Sequence, residues 1–503
     1  MRYARRKAAV RGVLAGCAGL CGILVAAALA AQPSLPEGVV GERARAMITI
    51  LTGPGGDAAA IEPLVAANWA ASALAQRPAS ERAKALAGVR VDLGKAELVR
   101  VERRNPNEVA LIFHSAAKGL WLTVGMKLEP QTPHGIVAAS MQLDSNPPAD
   151  VAAAAGPKLS REQAIAQAAA RIDALAAEDA FSGIVLIARD GAVELEKAAG
   201  QADRERAVAN TPATRFNLGS ISKAFTQVLI AQLAAEGKLT LDDPLIRHLP
   251  DYPDRAIAEQ VTLQQLLAHR SGLGDIFNDR FTPEAAAGLR TLADYLPLFT
   301  GKPLEFAPGT AQRYSNAGYV VLGLVVERLT GRSFAEATKQ RIFDPAAMAA
   351  SGWLARDALP ADAAVGYTRE GWQEDRERPG PPKAGGRPKA PLGPRHANAT
   401  ALPAIGSSAG GSYSTASDLL RFARALATDR IRGPERFAQQ GGLGIAGGTV
   451  GANAVLEADF QPGGWTVIVL ENLDPPAAEG LARELRALLD RVEAPATAGA
   501  KAP

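Results

Sequence analysis

The segment Phe216–Lys223 reads FNLGSISK and contains a serine and a lysine separated by two residues. The residues that follow, up to Glu236, carry apolar side chains at helical spacing, and Gly237 is typical of a helix end. If a helix begins near Ser220, then Ser220 and Lys223 lie on one face, a turn apart. An ammonium group beside a serine hydroxyl favours its nucleophilic form, as does the positive end of a helix. The pattern therefore suits nucleophilic catalysis, and it equally suits an N-cap serine followed by a solvated lysine.

A second motif, Tyr314-x-Asn316, lies downstream in the segment RYSNAGY. Positive charge close to a tyrosine favours loss of its phenolic proton, so Tyr314 placed beside Lys223 would act as a base on Ser220. Asn316 offers both a hydrogen-bond donor and an acceptor to a bound ester or amide. An ordinary turn with a half-buried tyrosine has the same pattern, so the two motifs gain meaning only together.

The first 31 residues differ from the rest of the chain in charge. Five of the 55 basic residues lie among the first eleven, and residues 1–31 contain no acid. The remaining 50 Lys and Arg face 52 Asp and Glu, so the basic pI gives no reason to expect nucleic-acid binding. Residues 12–31 are uncharged and mostly apolar, which predicts an export signal or an uncleaved membrane anchor. We therefore expect a periplasmic or secreted protein, which an uncleaved segment would hold at the inner membrane.

Length and composition predict more than one domain and no metal site. The chain has 503 residues, of which 47% are apolar, enough for two or three domains with a buried core. No two of its five histidines stand at the spacing of a helical metal site, so we expect no histidine-built zinc centre. We likewise expect no cofactor.

Two domains are predicted after the leader. Residues 42–145 start with alanine-rich helices and continue with four strand patterns, which predicts a small α+β domain similar to the cone-like domains of the nuclear-transport-factor type. Residues 146–159 are expected to be a linker. Residues 160–493 have strand hairpins at both ends and helices between them. The simplest fold joins both hairpins in one antiparallel sheet, with the first and last helices on one face and the middle helices forming a second lobe.

Several motifs occur in an order that resembles one enzyme family. They are Gly219–Lys223, Leu241–Pro244, Leu266–Leu273, Pro308–Thr310 with Tyr314–Asn316, and Gly410–Leu419. Over roughly residues 160–490 the chain resembles the beta-lactamase-related serine hydrolases, which include class C β-lactamases and D-alanyl-D-alanine carboxypeptidases. The resemblance implies a β-lactamase/transpeptidase-like two-lobe α+β fold.

The resemblance also implies roles for individual residues. Ser220 would be the acylated nucleophile, Lys223 its activator, Tyr314 the general base and Asn316 a contact of the substrate amide. The substrate would be a small-molecule carboxylester, β-lactam or D-amino-acid peptide. His269 is expected to shape a loop and to take no part in the chemistry.

The sequence departs from the family at the third motif, usually Lys or His followed by x-Gly on a strand facing the serine. Here Ile445-Ala446-Gly447 occupies that place. The strand backbone still supplies an oxyanion donor, which we expect near Gly447 or Gly448. Ile445 is expected to form an apolar wall of the crevice, which would favour neutral esters over carboxylate-bearing substrates. The same departure supports an alternative, a catalytically weak or inactive binding protein of this fold.

Two further motif matches fail on their context. Residues 406–410 fit G-x-S-x-G, but an α/β-hydrolase needs a histidine after its serine and the last histidine is His396. Residues 442–447 fit G-x-G-x-x-G, but a strand pattern follows where a dinucleotide site needs a helix. Both are interpreted as glycine-rich turns.

Overall fold

The computed structural model describes residues 33–53, 57–115, 120–144, 157–369, 394–398 and 401–493. Their contacts separate into two compact units, one before Pro157 and one from Pro157 onward. The expected signal or anchor, and the predicted linker up to residue 156, lie outside the described residues. Within the described ranges, none of the helices combines the length and the apolar character needed to cross a bilayer.

The first unit packs helices on one face of a four-stranded antiparallel sheet, in which each strand pairs with the next along the chain. Alternate residues of the strands, such as Leu111 and Phe113, are fully buried against Met47 and Ile61 of the helices. The elements are α1 Val39–Thr52, α2 Ala58–Asn68, α3 Ala71–Gln76, α4 Ala79–Leu93, β1 Glu97–Asn105, β2 Glu108–Ser115, β3 Leu120–Leu128 and β4 Ile136–Asp144.

The sequence predicts one helical stretch from Ile61 to Leu74, and the structure has two helices there. Ala70 donates its backbone N–H to the Ile136 carbonyl at 3.1 Å, and Trp69 forms a β-bridge with the same residue. Pairing with β4 therefore interrupts the helix where local pattern alone predicts continuation.

The second unit is built on a five-stranded antiparallel sheet, in which the last three strands of the unit are followed by its first two. Its strands are β5 Gly183–Arg189, β6 Ala192–Ala199, β7 Gln201–Asp203, β8 Val208–Ala209, β9 Phe216–Asn217, β10 Gly352–Trp353, β11 Tyr367–Arg369, β12 Arg395–Ala397, β13 Ser412–Ser414, β14 Gly442–Thr449, β15 Ala452–Asp459 and β16 Trp465–Glu471. Its helices are α5 Arg161–Ala177, α6 Ser222–Ala235, α7 Arg255–Gln260, α8 Leu263–Leu267, α9 Pro283–Gly288, α10 Leu296–Phe299, α11 Asn316–Thr330, α12 Phe334–Thr338, α13 Asp344–Ala346, α14 Ala416–Ala427, α15 Glu435–Gln439 and α16 Ala477–Leu489.

The five-stranded sheet buries both faces. Val185 and Ile187 of β5 lie in a core with α5 and α16, the first and last helices of this unit. Ile184 and Leu186 face the opposite way, into the larger core that contains α6, α11 and α14. The first and last hairpins thus share one sheet, and the middle helices form a second lobe, which confirms the predicted two-lobe α+β fold.

Candidate active site

Ser220 lies in a 3₁₀ turn, Gly219–Ile221, between β9 and the start of α6. Gly219 adopts φ 50°, in the left-handed region that favours glycine. A Cβ at Gly219 would also come within 2.7 Å of the Gly448 backbone nitrogen. The glycine before the serine is therefore required both by backbone conformation and by the close approach of β14.

The Ser220 hydroxyl contacts two groups that can exchange protons with it. Its Oγ lies 2.6 Å from the Tyr314 hydroxyl oxygen and 3.3 Å from the Lys223 Nζ. Lys223 is 5% exposed and also donates to Asn316 Oδ1 at 2.7 Å and to the Ala409 carbonyl. The structure therefore brings together Ser220, Lys223, Tyr314 and Asn316, the four side chains that the motifs single out.

The Tyr-x-Asn motif is held at the start of α11. Ser315 caps this helix by accepting the Gly318 N–H at 3.2 Å. Asp275 accepts hydrogen bonds from the Asn316 backbone N–H at 2.8 Å and from its side-chain amide at 3.1 Å. Asp275 therefore orients Asn316 so that its amide oxygen faces the lysine.

His269 supports Tyr314 from the side. The two rings are stacked with centroids 4.5 Å apart, and His269 Nδ1 accepts the Ser315 N–H at 3.2 Å. Burial, together with the positive charge of Lys223, lowers the pKa of His269 to about 4. His269 is therefore a neutral positioning group near pH 7, in agreement with the structural role expected for it.

Asp275 and Ala409 were not predicted from the sequence. Asp275 lies in the loop that follows the Leu266–Leu273 motif, and Ala409 precedes the Gly410–Leu419 motif, so each stands next to a segment that carries the resemblance. Their roles depend on tertiary contacts with Asn316 and Lys223, and neither has a local sequence signal.

Strand β14 lies at the edge of the sheet and approaches the nucleophile with its backbone. A Cβ on Gly447 would lie 2.7 Å from the Ser220 backbone nitrogen and 2.1 Å from the Leu218 carbonyl oxygen. Gly448 also lines the cavity that contains Ser220. The two glycines predicted as substrate contacts therefore lie beside Ser220, where a backbone N–H can stabilise a developing oxyanion.

Ile445 does not form the apolar wall expected from the sequence. Its side chain is half-buried and packs against the core of the helical lobe. From this part of the chain the cavity is lined instead by Gly448, Thr449 and Val450. The expected preference for neutral esters rested on Ile445 facing the crevice, so the structure removes its basis.

The pKa values of the two candidate bases move in opposite directions. Burial lowers the pKa of Lys223 to about 7, and the negative charge of Asp275 partly opposes this change. Burial raises the pKa of Tyr314 to about 12, opposed by its hydrogen bond with Ser220. The phenol therefore keeps its proton at neutral pH. The expectation that Lys223 lowers the pKa of Tyr314 is therefore wrong, because burial dominates.

A cavity of about 670 Å³ extends from Ser220 and Tyr314. Apolar and aromatic side chains cover much of its wall, among them Phe277, Phe281, Tyr295, Leu354 and Leu402. Polar groups contribute almost as much of the wall, among them Ser220, Asn278, Asn316 and Ser407. A cavity of this size with apolar contacts and convergent polar groups suits a small molecule. In the described ranges, no group of three or more His, Cys, Asp or Glu side chains is arranged to hold a metal ion.

The chain is similar in sequence to one family model and to several known proteins. The Beta-lactamase family model matches residues 168–488, more than half of the chain. Esterase EstB of Burkholderia gladioli is 31% identical over 341 residues, which cover 63% of this chain and 82% of that protein. The putative penicillin-binding protein PbpX of Bacillus subtilis is 32% identical over 39% of this chain and 47% of its own length. The matched region thus spans about half of PbpX, and a larger share of EstB.

A solved structure supports the same assignment of the fold. The penicillin-binding protein from Bacillus halodurans superposes with a TM-score of 0.52 at 29% sequence identity. The superposition covers 63% of this chain and 99% of that one.

Proposed function

Because the chain belongs to the beta-lactamase family, we propose that it is a serine hydrolase that cleaves a small-molecule ester or amide through an acyl-enzyme on Ser220. The observation that carries this proposal is the position of the Ser220 hydroxyl, 2.6 Å from the Tyr314 hydroxyl and 3.3 Å from the Lys223 amine. One relative is named an esterase and another a putative penicillin-binding protein, which supports carboxylesters and β-lactams as substrate classes. D-amino-acid peptides are the third class, which the resemblance of the motifs implies.

In the proposed acylation step, Ser220 Oγ attacks the substrate carbonyl carbon and its proton passes to the neutral Lys223 amine, directly or through the Tyr314 hydroxyl. A pKa of about 7 leaves a substantial fraction of this amine neutral at pH 7. Tyr314, which keeps its proton, is then a relay, in place of the general base that the resemblance implies. The bond to the leaving group breaks as Lys223 returns the proton to it.

In deacylation, water is the nucleophile and Ser220 is the leaving group. Water attacks the carbonyl carbon of the acyl group on Ser220 and gives a proton to Lys223. The Ser220 oxygen then leaves and takes that proton from Lys223. In both steps the negative charge on the carbonyl oxygen would be stabilised by the backbone N–H groups of Ser220 and Gly448, which come from the 3₁₀ turn and from β14.

The alternative of an inactive binding protein is less well supported than the hydrolase. It rests on the third motif, where Ile445 stands in place of a lysine or histidine, and Ile445 packs against the core without supplying that cation. Lys223 also makes three hydrogen bonds that join the nucleophile, Asn316 and the Ala409 carbonyl, an arrangement that pure binding does not require.

The test is hydrolysis of p-nitrophenyl butyrate by the wild-type protein and by Ser220→Ala. We expect the substitution to lower kcat by about 10³-fold or more, since it removes the nucleophile of an acyl-transfer site. Unchanged circular dichroism would show that the fold is intact. If the folded alanine variant keeps its turnover, Ser220 is not the nucleophile.

We also propose that the protein is exported. The support is the basic, acid-free segment 1–31 with its apolar run at 12–31. The test is separation of cells into periplasmic, membrane and cytoplasmic fractions, followed by mass spectrometry of the N-terminus of the recovered protein. A cleaved N-terminus indicates a signal peptide, an intact one in the membrane fraction indicates an anchor, and recovery from the cytoplasm contradicts export.

A further inference from the structure

Arg356 stands out in the active-site cavity because of its charge. Within the part of the chain that the structure describes, it is the one charged side chain that lines the cavity shared with Ser220. No acidic side chain of the described residues contributes to that lining. A substrate that enters the cavity therefore meets a fixed positive charge.

The position of Arg356 is fixed by its own backbone and by a neighbouring loop. Its backbone N–H donates to the Ala404 carbonyl at 2.9 Å, and its Nη1 donates to the Leu402 carbonyl. Leu402 itself lines the cavity. The guanidinium is thus held against the cavity wall by a contact that leaves most of its five N–H groups available.

Arg356 also differs from the neighbouring arginine in its partners. Arg290 forms an ion pair with Asp357, the residue next to Arg356. Among the described residues, no carboxylate lies within 4 Å of the Arg356 guanidinium, and its Nε and Nη2 make no hydrogen bond. An arginine with free N–H groups in a half-enclosed cavity matches the geometry of a carboxylate, which accepts two parallel hydrogen bonds.

We propose that Arg356 binds a carboxylate of the substrate, so that the preferred substrate is an ester or amide with a carboxylate separated from the scissile carbonyl. The inference rests on the proposed hydrolase function and specifies its substrate class. The apolar part of the substrate would pack on Phe277, Phe281 and Leu354. Arg356 thus supplies, from another wall of the cavity, the cation that Ile445 does not.

The kinetic test compares three esters. They are p-nitrophenyl butyrate, which is neutral, mono-p-nitrophenyl glutarate, which carries a carboxylate in the acyl part, and 4-(butyryloxy)benzoate, which carries one in the leaving group. We expect Arg356→Gln to lower kcat/KM by about 10- to 100-fold for at least one anionic ester, the range of a charge-assisted contact, and to change the neutral ester by less than about 3-fold. Arg356→Lys should retain part of the preference, because it keeps the charge and loses the bidentate geometry.

Arg280→Gln is the matched control, because Arg280 precedes the lining residue Phe281, does not itself line the cavity, and donates to the Pro297 and Thr300 carbonyls, so its loss frees no carboxylate beside Arg356. It should leave the ratio of anionic to neutral kcat/KM within about 2-fold. If Arg356→Gln slows all three esters equally, or if both glutamine variants act alike, Arg356 is structural and the proposal is wrong.

A binding measurement separates this inference from the hydrolase proposal. Isothermal titration calorimetry compares 4-phenylbutyrate with 4-phenylbutanol, neither of which can be hydrolysed. We expect the wild-type protein to bind the carboxylate about 10-fold or more tightly than the alcohol, and Arg356→Gln to abolish the difference. This result supports Arg356 even if no ester is turned over, whereas equal binding of both compounds by the wild type overturns the proposal.

Discussion

At the scale of single residues, the reactivity of the site depends on the environment of Lys223. Burial favours the neutral amine and lowers its pKa to about 7, while Asp275 acts in the opposite direction. Asp275 is linked to the lysine through Asn316. The Asn316 side-chain N–H donates a hydrogen bond to Asp275, and the Asn316 side-chain oxygen accepts one from Lys223 Nζ. The proton acceptor is therefore tuned by one carboxylate that does not itself contact Ser220.

The first prediction concerns pH. The neutral amine is the reactive form and its fraction grows with pH, so kcat/KM for p-nitrophenyl butyrate should rise through an apparent pKa of about 7. Asp275→Asn removes the charge that favours the ammonium form, so we expect the inflection to move to lower pH. An inflection that stays in place or moves upward in the asparagine variant would show that another group controls the rate.

At the scale of elements, the approach of β14 to the serine turn needs residues without side chains. A Cβ on Gly447 would overlap the Leu218 carbonyl oxygen at 2.1 Å and crowd the Ser220 nitrogen at 2.7 Å. Both neighbours are backbone atoms of the turn that carries the nucleophile, so neither can rotate away. Gly444, on the same strand, would meet no atom within 4 Å.

Gly447→Ala should therefore displace β14 from Ser220 and lower kcat/KM by about 100-fold or more, which is the usual effect of losing an oxyanion donor. We expect a loss of stability of about 1–3 kcal/mol, typical of overpacking, measured by urea denaturation. Gly444→Ala is the control and should change kcat/KM by less than about 3-fold. Equal activity of the two alanine variants would show that β14 does not supply an oxyanion donor.

The sequence predicted those elements whose signals are local. The hairpins predicted at both ends of residues 160–493 appear in the structure as β5–β6 and β15–β16. The motifs around Ser220 and Tyr314 likewise predicted which side chains meet. Asp275 could not be found, because a loop carboxylate gains its role only when the chain closes on Asn316. Ile445 was predicted to face the crevice, but its position in the motif does not reveal which surface its half-buried side chain covers.

At the scale of the whole molecule, the two units have separate hydrophobic cores. The core of the first unit is built from its helices and its four-stranded sheet, and the cores of the second lie on the two faces of the five-stranded sheet. Every described residue of the candidate site belongs to the second unit. Arg491, near the end of that unit, donates a hydrogen bond to the Pro157 carbonyl and accepts one from the Leu159 N–H. The first residues of the second unit are therefore held by the second unit itself.

We therefore predict that a truncated protein beginning at Pro157 folds and hydrolyses p-nitrophenyl butyrate within about 3-fold of the full chain, because a domain with its own core folds independently. Kinetics and circular dichroism of both proteins check this. A truncated protein that is folded and inactive would show that the first unit contributes to the site.

The central claim, a covalent acyl-enzyme on Ser220, is tested most directly by intact-mass spectrometry after reaction with a fluorophosphonate. We predict that the wild-type protein gains the mass of one probe, that peptide mapping places it on Ser220, and that Ser220→Ala gains none. Ser407 also lines the cavity and is an internal control for nonspecific reaction. Labelling of Ser407 in place of Ser220, or an adduct that persists in folded Ser220→Ala, would contradict the account.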